Sequence, residues 1–455
     1  MIRLFKQYYP IQSVILFIGE SLIVLMGLLL LILLFYPFNL TWVIFLKAFS
    51  IMAICQLCLY YSDFYKTEYN NSASKLIQSL IITLIILAII CYFVPQITIG
   101  EGPHLFLNIC FIGILTYLWR SLINTLFNKD RLTQKILFIG SGNLARNVAK
   151  EILSTNHNSF KILGFLDPDP KKKEKNILNY ELAGTYGELD NILRQNGNIR
   201  IVIALDDKRG KIPLNKLLEC KMRGIIIEDH ITFLERLKGK LMVESLNPSH
   251  VIFSDGFKRS KVKAYLKRIE DILGSIIGLI VLSPFLILTA ILIKIDSKGP
   301  LFFTQERVGE NGKPFVLYKF RSMKVDAEKD KPLWAKENDD RVTRVGRYIR
   351  RFGIDEAPQL WNVLKGDMSL VGPRPERPQF VKELTNIIPY YSLRHSVKPG
   401  ITGWAQIRYH YGASVEDALE KLKYELYYIK NLSPIFDLFI LFETVKLIIQ
   451  AKISR

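Results

Sequence analysis

The residues "ILGSIIGLIVLSPFLILTAILI" occupy positions 272–293 and decide how the C-terminal half of the chain meets a membrane. The run is long enough to cross a bilayer, which takes about 20 apolar residues. Ser283 and Pro284 stand in its middle, and a proline inside a helix removes a backbone hydrogen bond and clashes with the preceding turn. The run therefore predicts either a kinked membrane span or a helix–break–helix hairpin that enters one leaflet and returns.

Cations flank this run on both sides, with Lys267 and Arg268 before it and Lys294 and Lys298 after it. Positively charged flanks stay on the cytoplasmic side of a membrane, so a single crossing that puts one pair outside is disfavoured. We therefore predict a re-entrant membrane helix hairpin over residues 265–295. The backbone groups freed at the break need partners, such as the Ser283 hydroxyl.

Residues 1–132 contain four more apolar runs, at about 11–36, 40–60, 76–94 and 105–127. Each is close to the length of a transmembrane helix. Lysine and arginine lie before the first run, between the second and third, and after the fourth, whereas the other two connections carry almost none. This pattern predicts a four-helix transmembrane bundle with everything after the fourth helix in the cytoplasm.

The chain of 455 residues has a formal net charge of +19. Such a basic balance suits nucleic acid, an anionic membrane face or phosphorylated substrates. The sequence has no zinc knuckle, no aromatic RNA-binding strand motif and no basic helix with heptads, so we expect no nucleic-acid partner and keep the lipid bilayer and phosphorylated substrates.

Residues 133–255 alternate predicted strands with helices, which indicates a Rossmann-like α/β domain. Its first turn, in "KILFIGSGNLARNVAKEIL", has the form G-x-G-x-x-A with Gly140, Gly142 and Ala145. Such a turn can seat a pyrophosphate on a helix N-terminus, so these residues are candidates for nucleotide binding. The glycines would serve a tight strand–helix turn equally well. We therefore favour a structural or ligand-sensing, regulatory role over hydride chemistry.

Residues 350–375 read "RRFGIDEAPQLWNVLKGDMSLVGPRP" and place two carboxylates, Asp355 and Glu356, before a helical pattern that Gly366 ends. Asp355 could simply be the N-cap of this helix, with Pro358 in its first turn. That interpretation does not explain the arginines that surround the carboxylates. They are Arg341, Arg344, Arg347, Arg350, Arg351 and Arg374.

Clustered cations at a helix start indicate a bound anion, and arginine forks with the helix dipole suit a phosphate. An ionised Asp355 in that field is a candidate nucleophile. Glu356 beside it could help to hold Mg²⁺, which prefers one or two carboxylates together with substrate phosphates. The combination points to phosphoryl transfer.

The region from 261 to 455 is predicted to be an α-rich catalytic domain. It closes with "SPIFDLFILFETVKLIIQ" (Ser433–Gln450), where charges interrupt the apolar pattern too often for a span. We expect an amphipathic helix that lies in the membrane interface.

Three separated motifs in this region resemble the bacterial polyprenyl-phosphate sugar-1-phosphate transferases. They are "KRIEDILGSIIGLIVLSPFLILTAILIKIDSKGPLFFTQERVGENGKPFVLYKFRSM" (Lys267–Met323), "IDEAPQLWNVLKGDMSLVGPRPERP" and "KPGITGWAQI" (Lys398–Ile407). With the four N-terminal helices and the Rossmann-like domain, the layout is similar to the long monotopic phosphoglycosyl transferases, which initiate exopolysaccharide, O-antigen or capsule assembly.

The resemblance implies transfer of a sugar-1-phosphate from a UDP-sugar to undecaprenyl phosphate, with release of UMP, at the cytoplasmic face of a bacterial inner membrane. It implies that Asp355 is a nucleophile that carries a covalent phosphosugar and that Glu356 is its partner at Mg²⁺. Ser283 and Pro284 match the break in the family's re-entrant helix. The other implied positions are Lys319, Arg321, Arg350 and Arg374 at the phosphates and Arg408 on the nucleotide side.

The sequence departs from the family pattern where a Leu-Asp-x-Tyr-Tyr motif is expected, because Glu425 replaces the aspartate. One alternative function is a membrane-bound NAD-dependent sugar-nucleotide dehydratase or epimerase, but no tyrosine has a lysine four positions on, as that catalytic pair requires. Another is a non-enzymatic scaffold that recruits polysaccharide-assembly enzymes. Further expected partners are a second copy of the chain, in a homo-oligomer, and other polysaccharide-assembly enzymes.

Overall fold

The structure is a computed structural model of the chain. It describes residues 2–4, 7–9, 11–35, 42–65, 73–93, 102–126, 133–154, 160–169, 180, 182–196, 199–206, 212–245, 255–257, 260–324, 340–409, 412 and 414–450. The chain forms two compact units, one of Met1–Leu4 with Tyr8–His230 and the other of Phe5–Gln7 with Ile231–Arg455. The unit boundary follows residue 230, so the described residues between 231 and 257 pack with the C-terminal unit.

Two short strands, β1 (Ile2–Leu4) and β2 (Gln7–Tyr9), precede four long helices. The helices are α1 (Ile11–Phe35), α2 (Trp42–Tyr61), α3 (Ala73–Phe93) and α4 (Gly102–Leu126). They contact one another as α1 with α4, α2 with α3, α3 with α4 and α1 with α2. All four are long and apolar enough to cross a membrane, which agrees with the predicted runs. The transmembrane arrangement itself stays a prediction.

A polar cluster that the hydropathy pattern did not reveal lies among these helices. Glu20 of α1 and Arg120 of α4 form a buried ion pair, and the Tyr65 hydroxyl donates to Glu20 Oε2 at 2.6 Å. The Arg120 guanidinium also lies 3.8 Å from the centroid of the Phe64 ring. A buried charge is tolerated when it is paired, so the cluster ties α1 to α4.

Residues 134–229 form a five-stranded parallel sheet with helices between its strands, as the alternating pattern predicted. The strands lie in the order β5-β4-β3-β6-β7. The strands are β3 (Gln134–Ile139), β4 (Phe160–Leu166), β5 (Leu182–Gly184), β6 (Ile199–Ile203) and β7 (Ile226–Asp229), and the helices between them are α5 (Asn143–Ser154), α6 (Leu189–Gln195) and α7 (Leu214–Met222). A further helix, α8 (His230–Lys238), follows β7 and belongs, after His230, to the C-terminal unit.

The C-terminal unit is built on the long helix α9 (Lys261–Asp296). Its other elements are β8 (Phe302–Val308), β9 (Pro314–Phe320), α10 (Arg344–Arg351), α11 (Gln359–Lys365), β10 (Ser369–Val371), α12 (Pro378–Ile387), β11 (Gly400–Thr402), α13 (Trp404–Arg408), α14 (Val415–Asn431) and α15 (Pro434–Ile449). β8 and β9 are antiparallel, and β10 and β11 are parallel. The predicted α-rich domain is therefore a mixed domain in which short strands hold the helices.

The helix is not interrupted at Ser283 and Pro284, where a break was expected. α9 is helical from Lys261 to Asp296. A proline removes the hydrogen bond that its own N–H would give to the carbonyl four residues earlier, here that of Ile280. The Ser283 hydroxyl donates to this same Ile280 carbonyl at 2.8 Å, so the freed acceptor is satisfied without interrupting the helix. The re-entrant path of α9 stays a prediction.

Candidate active site

Asp355 and Glu356 lie in a short 3-10 turn, Ile354–Glu356, between α10 and α11. Gly353 precedes the turn in the left-handed conformation, with φ of 70°, which favours glycine. Because α11 starts at Gln359 and its N-cap is Pro358, the alternative interpretation of Asp355 as the N-cap of this helix is wrong. Asp355 is instead buried, with 4% of its surface exposed.

Glu356 binds two cations that are distant in the sequence. Its Oε1 atom accepts from Lys319 Nζ at 2.8 Å and from Arg374 Nη2 at 2.7 Å, and its Oε2 atom is 3.4 Å from Arg374 Nη1. Burial alone would raise the pKa of Glu356, but the charges of Arg374 and Lys319 hold this pKa well below its usual range. Glu356 is therefore an anion that organises two cations beside Asp355.

Lys319 reaches this site from β9, where it pairs with Phe303 of β8. Burial lowers the pKa of Lys319, and the neighbouring Glu356 partly offsets this effect.

The buried Asn362 side chain joins β9 to α11, because its Oδ1 accepts from Tyr318 N at 3.1 Å and its Nδ2 donates to Val316 O at 2.7 Å. In the sequence Asn362 looks like an ordinary helix residue, and no local signal predicts its role in joining β9 to α11.

Arg374 enters from the Gly-Pro-Arg-Pro segment that follows β10. A side chain at Gly372 would collide with the backbone at Lys398 and Gly400, so glycine allows β10 and β11 to approach closely. Gly372 N donates to Thr402 O at 2.9 Å. The position of the Arg374 backbone therefore depends on this strand contact as well as on the prolines on either side of it.

Of the implied phosphate residues, Lys319 and Arg374 meet at Glu356, whereas Arg321 lies elsewhere. Arg321 is buried and donates to the carbonyls of Ser297 at 2.7 Å and Lys298 at 3.0 Å. It ties β9 to the end of α9, and a phosphate role for it stays a prediction.

Arg350 is half-buried near the C-terminus of α10, and its carbonyl accepts from Gly353 N at 3.2 Å. Arg344, Arg347 and Arg351 of α10 are exposed. Arg408 is exposed and lies over the Trp404 ring, 4.7 Å from its centroid. Roles for Arg350 and Arg408 in substrate binding stay predictions.

The G-x-G-x-x-A turn of the α/β domain is occupied by a protein carboxylate. Asp206 accepts hydrogen bonds from Asn143 N and Leu144 N, both at 2.9 Å, at the N-terminus of α5. A side chain at Gly142 would overlap Asp206, and Gly140 has φ of 114°, while Ala145 is buried. A nucleotide phosphate at this turn would have to displace Asp206, so the geometry favours the structural interpretation; nucleotide binding stays a prediction.

The carboxylates suit Mg²⁺ by their chemistry. Within the described residues no group of three or more His, Cys, Asp or Glu side chains is arranged to hold a metal ion. Mg²⁺ does not require such a group, since one or two carboxylates with water and substrate phosphates are enough. Glu356 Oε2 lies 3.4 Å from Arg374 Nη1, and a role for Glu356 and Asp355 in holding Mg²⁺ stays a prediction.

Known proteins match this region. The family described as Bacterial sugar transferase matches residues 262–451. The exopolysaccharide production protein PSS of Rhizobium leguminosarum is 43% identical over 189 residues, which are 40% of this chain and 93% of that protein. The chain belongs to the bacterial sugar transferase family.

Two further relatives of this chain have names that specify a reaction. UDP-N-acetylgalactosamine-undecaprenyl-phosphate N-acetylgalactosaminephosphotransferase of Aeromonas hydrophila is 42% identical over 51% of this chain. Undecaprenyl-phosphate galactose phosphotransferase of Salmonella typhimurium is 31% identical over 75% of this chain and 73% of its own length. For several relatives the match covers only about half of the relative's own length, for example 54% of the Aeromonas protein.

Proposed function

We propose that this chain transfers a sugar-1-phosphate from a UDP-sugar to undecaprenyl phosphate and releases UMP, in the first membrane step of polysaccharide assembly. The observation that carries the proposal is the buried Asp355 beside a Glu356 that binds Lys319 and Arg374. The names of the relatives supply the substrate classes, and their different sugars leave the sugar of this chain open.

The proposed chemistry has two displacements at one phosphorus. An Asp355 oxygen attacks the phosphorus that bears the sugar, and the bond to the UMP oxygen breaks. A phosphate oxygen of the lipid then attacks the same phosphorus, the bond to Asp355 breaks, and the lipid-linked diphosphate sugar forms. Each displacement needs an ionised nucleophile and nearby positive charge for the phosphoryl oxygens.

Lys319 and Arg374 provide that charge, since both cations already contact a carboxylate next to the nucleophile. A substrate diphosphate can exchange with Glu356 as their acceptor, because arginine forks match phosphate geometry. Asp355 and Glu356 would hold Mg²⁺, which when bound supplies further neutralisation of diphosphate charge.

The test is UMP release from a panel of UDP-sugars by the full chain in membranes that contain undecaprenyl phosphate. We expect release with one or a few sugars, and only when the lipid phosphate is present for continuous turnover. Absence of UMP with every sugar, from protein that is folded and inserted, would contradict the proposed function.

We further propose that α9 is re-entrant and that the catalytic unit stays on the cytoplasmic face of a bacterial inner membrane. Near its start, Arg268 donates to the carbonyls of Val363 at 2.6 Å and Leu364 at 2.7 Å. Near its end, Asp296 accepts from Val345 N at 3.1 Å.

The chain from Val345 to Val363 carries Asp355 and Glu356, so it does not suit the hydrocarbon core of a bilayer. Both ends of α9 therefore belong on one side of the membrane, whereas a helix of 36 residues could extend about 54 Å if straight. Exposed apolar side chains in its middle, such as Ile280 at 67% and Phe285 at 58%, suit the lipid.

Single cysteines in a cysteine-free background test this topology. At Val262 and Ile295, where the side chains are 67% and 77% exposed, we expect both cysteines to react with a membrane-impermeant thiol reagent only from the cytoplasmic side. A spanning helix would instead place the two cysteines on opposite sides. A cysteine at exposed Met222 in the α/β domain, 89% exposed, reports the cytoplasmic side for comparison.

A further inference from the structure

The backbone that carries Arg374 is held at each carbonyl from Pro373 to Glu376. The donors to these four carbonyls, in order, are Gly400 N (2.9 Å), Arg394 Nη2 (2.8 Å), Arg307 Nη1 (3.0 Å) and Val308 N (2.9 Å). The donor to the carbonyl of Arg374 itself is therefore a side chain, that of Arg394, and not a backbone N–H. That donor is thus one of the four groups that fix the backbone from which the Arg374 side chain extends.

The donor, Arg394, is buried and held by a carboxylate from another helix. Its Nε donates to Glu425 Oε2 at 2.9 Å and its Nη2 to Glu425 Oε1 at 2.7 Å, while Nη1 donates to the Tyr391 hydroxyl at 3.0 Å. Both partners of the Arg394–Glu425 pair are only 5% exposed. This two-point pairing fixes the plane of the guanidinium as well as its position.

Glu425 lies on α14, which packs into the main core of the unit through Leu422 and Leu426. The packed helix fixes the backbone of Glu425, and the glutamate side chain is long enough to reach Arg394. The family pattern has an aspartate at this position, but in this chain Arg394 lies where the longer glutamate reaches it. An aspartate here would be shorter by one methylene, about 1.5 Å, and could keep both bonds only if Arg394 moved away from the Arg374 carbonyl.

We propose that the Arg394–Glu425 pair is a positioning device for Arg374. Glu425 orients Arg394, Arg394 holds the Arg374 carbonyl, and the Arg374 guanidinium is thereby aimed at Glu356 and at the substrate diphosphate. In this proposal the pair acts through Arg374 and not on the substrate directly. The inference rests on the proposed function, within which Arg374 is a phosphate-binding residue.

The first test is Glu425→Asp, which keeps the charge of the buried pair. We expect kcat for UMP release to fall by about tenfold to a hundredfold, since a shift of roughly 1 Å in a binding group has effects of this size. The thermal unfolding midpoint should change little. If Glu425 acts through Arg374, the double variant with Arg374→Lys should lose hardly more kcat than Arg374→Lys alone; fully additive losses would overturn the proposal.

Glu235→Asp is the matched control. Glu235 pairs with Lys430 at 2.8 Å, also on α14, with side-chain exposures of 12% and 18%. The Glu235→Asp substitution therefore shortens the carboxylate side chain of a comparable ion pair, whose lysine is on the same helix, without changing a contact of the Arg374 backbone. We expect an unchanged kcat, and an equal fall in kcat for both variants would show a general loss of packing and refute the positioning role.

A measurement without turnover separates this inference from the proposed function. Phenylglyoxal labels arginine side chains, and mass spectrometry can follow Arg374 against the exposed Arg223, whose side chain is 55% exposed. We expect Glu425→Asp to speed the labelling of Arg374 but not of Arg223, whereas equal rates at Arg374 in both proteins would overturn the inference. If Glu425→Asp changes the labelling of Arg374 but the chain never releases UMP, the positioning role of the Arg394–Glu425 pair is supported and the proposed transferase function is refuted.

Discussion

Asp355→Asn will lower UMP release from the preferred UDP-sugar by at least about a thousandfold, because an amide cannot replace a carboxylate as nucleophile. Asp355 is 4% exposed and sits beside the cation-bound Glu356, so water has little access to take over its role. The substitution conserves shape, and we expect the thermal unfolding midpoint to stay close to that of the wild type.

Rates of UMP release in lipid-containing membranes measure this effect. In the wild type, rapid quenching without lipid acceptor should show the mass of a phosphosugar on the tryptic peptide Phe352–Lys365, and Asp355→Asn should not show it. Asp355→Ala serves as a second variant, since it cannot revert by deamidation.

The control for Asp355 is Asp367→Asn, which changes a carboxylate 3.3 Å from Lys365 with a side chain 29% exposed. We expect near-normal turnover from it. Wild-type turnover with no trapped mass on the peptide, or substantial activity in Asp355→Ala, would contradict the assignment of the nucleophile.

Glu356→Gln will lower turnover by about a hundredfold, in the range found when one preorganised charge contact is removed from a reactive site. The neutral amide leaves Lys319 and Arg374 without their anionic acceptor. Two cations then repel each other close to Asp355, and the geometry that receives the diphosphate is lost.

The same variant should also change the pH dependence. Burial lowers the pKa of Lys319, and the negative charge of Glu356 opposes that fall. Removing the charge lowers the pKa of Lys319 further, so the amine loses its proton at a lower pH. The alkaline limb of the UMP-release profile should therefore move toward neutral pH in Glu356→Gln.

Glu420→Gln is the control for this prediction, because Glu420 also lies between two lysines, Lys240 and Lys423, the latter at 3.1 Å. Its loss should leave both the rate and the pH profile close to those of the wild type. An unshifted alkaline limb in Glu356→Gln would contradict the proposed coupling between Glu356 and Lys319.

Local patterns in the sequence were enough to locate the elements of the fold. The apolar runs predicted α1 to α4 and the apolar core of α9, and the alternating pattern after residue 133 predicted the α/β sheet that the structure contains. These predictions succeed because apolar length and periodicity act over neighbouring residues. The Asp355–Glu356 pair was visible for the same reason, since its two residues are adjacent.

The contacts within the site were decided by tertiary structure. Many arginines surround Asp355 in the sequence, yet the cations that bind Glu356 are Arg374 and Lys319, the latter 37 positions away. The buried Arg394–Glu425 pair joins residues 31 positions apart. The resemblance pointed to Lys319 and Arg374, but no local pattern shows which partners these residues, Arg394 and Glu425 bind, because the partners come together only when β9, α11 and α14 pack.

The continuous helix through Pro284 shows the same division. The sequence by itself determined that a proline would free the Ile280 carbonyl, and it offered Ser283 as a replacement donor. The bond from this donor to the same carbonyl, with which the helix continues, is local as well. Only the contacts of both helix ends with the segment from Val345 to Leu364 were decided by packing. Propensity and hydropathy set which segments form; three-dimensional complementarity sets which charges meet, because desolvated charges are stable only where a partner is in reach.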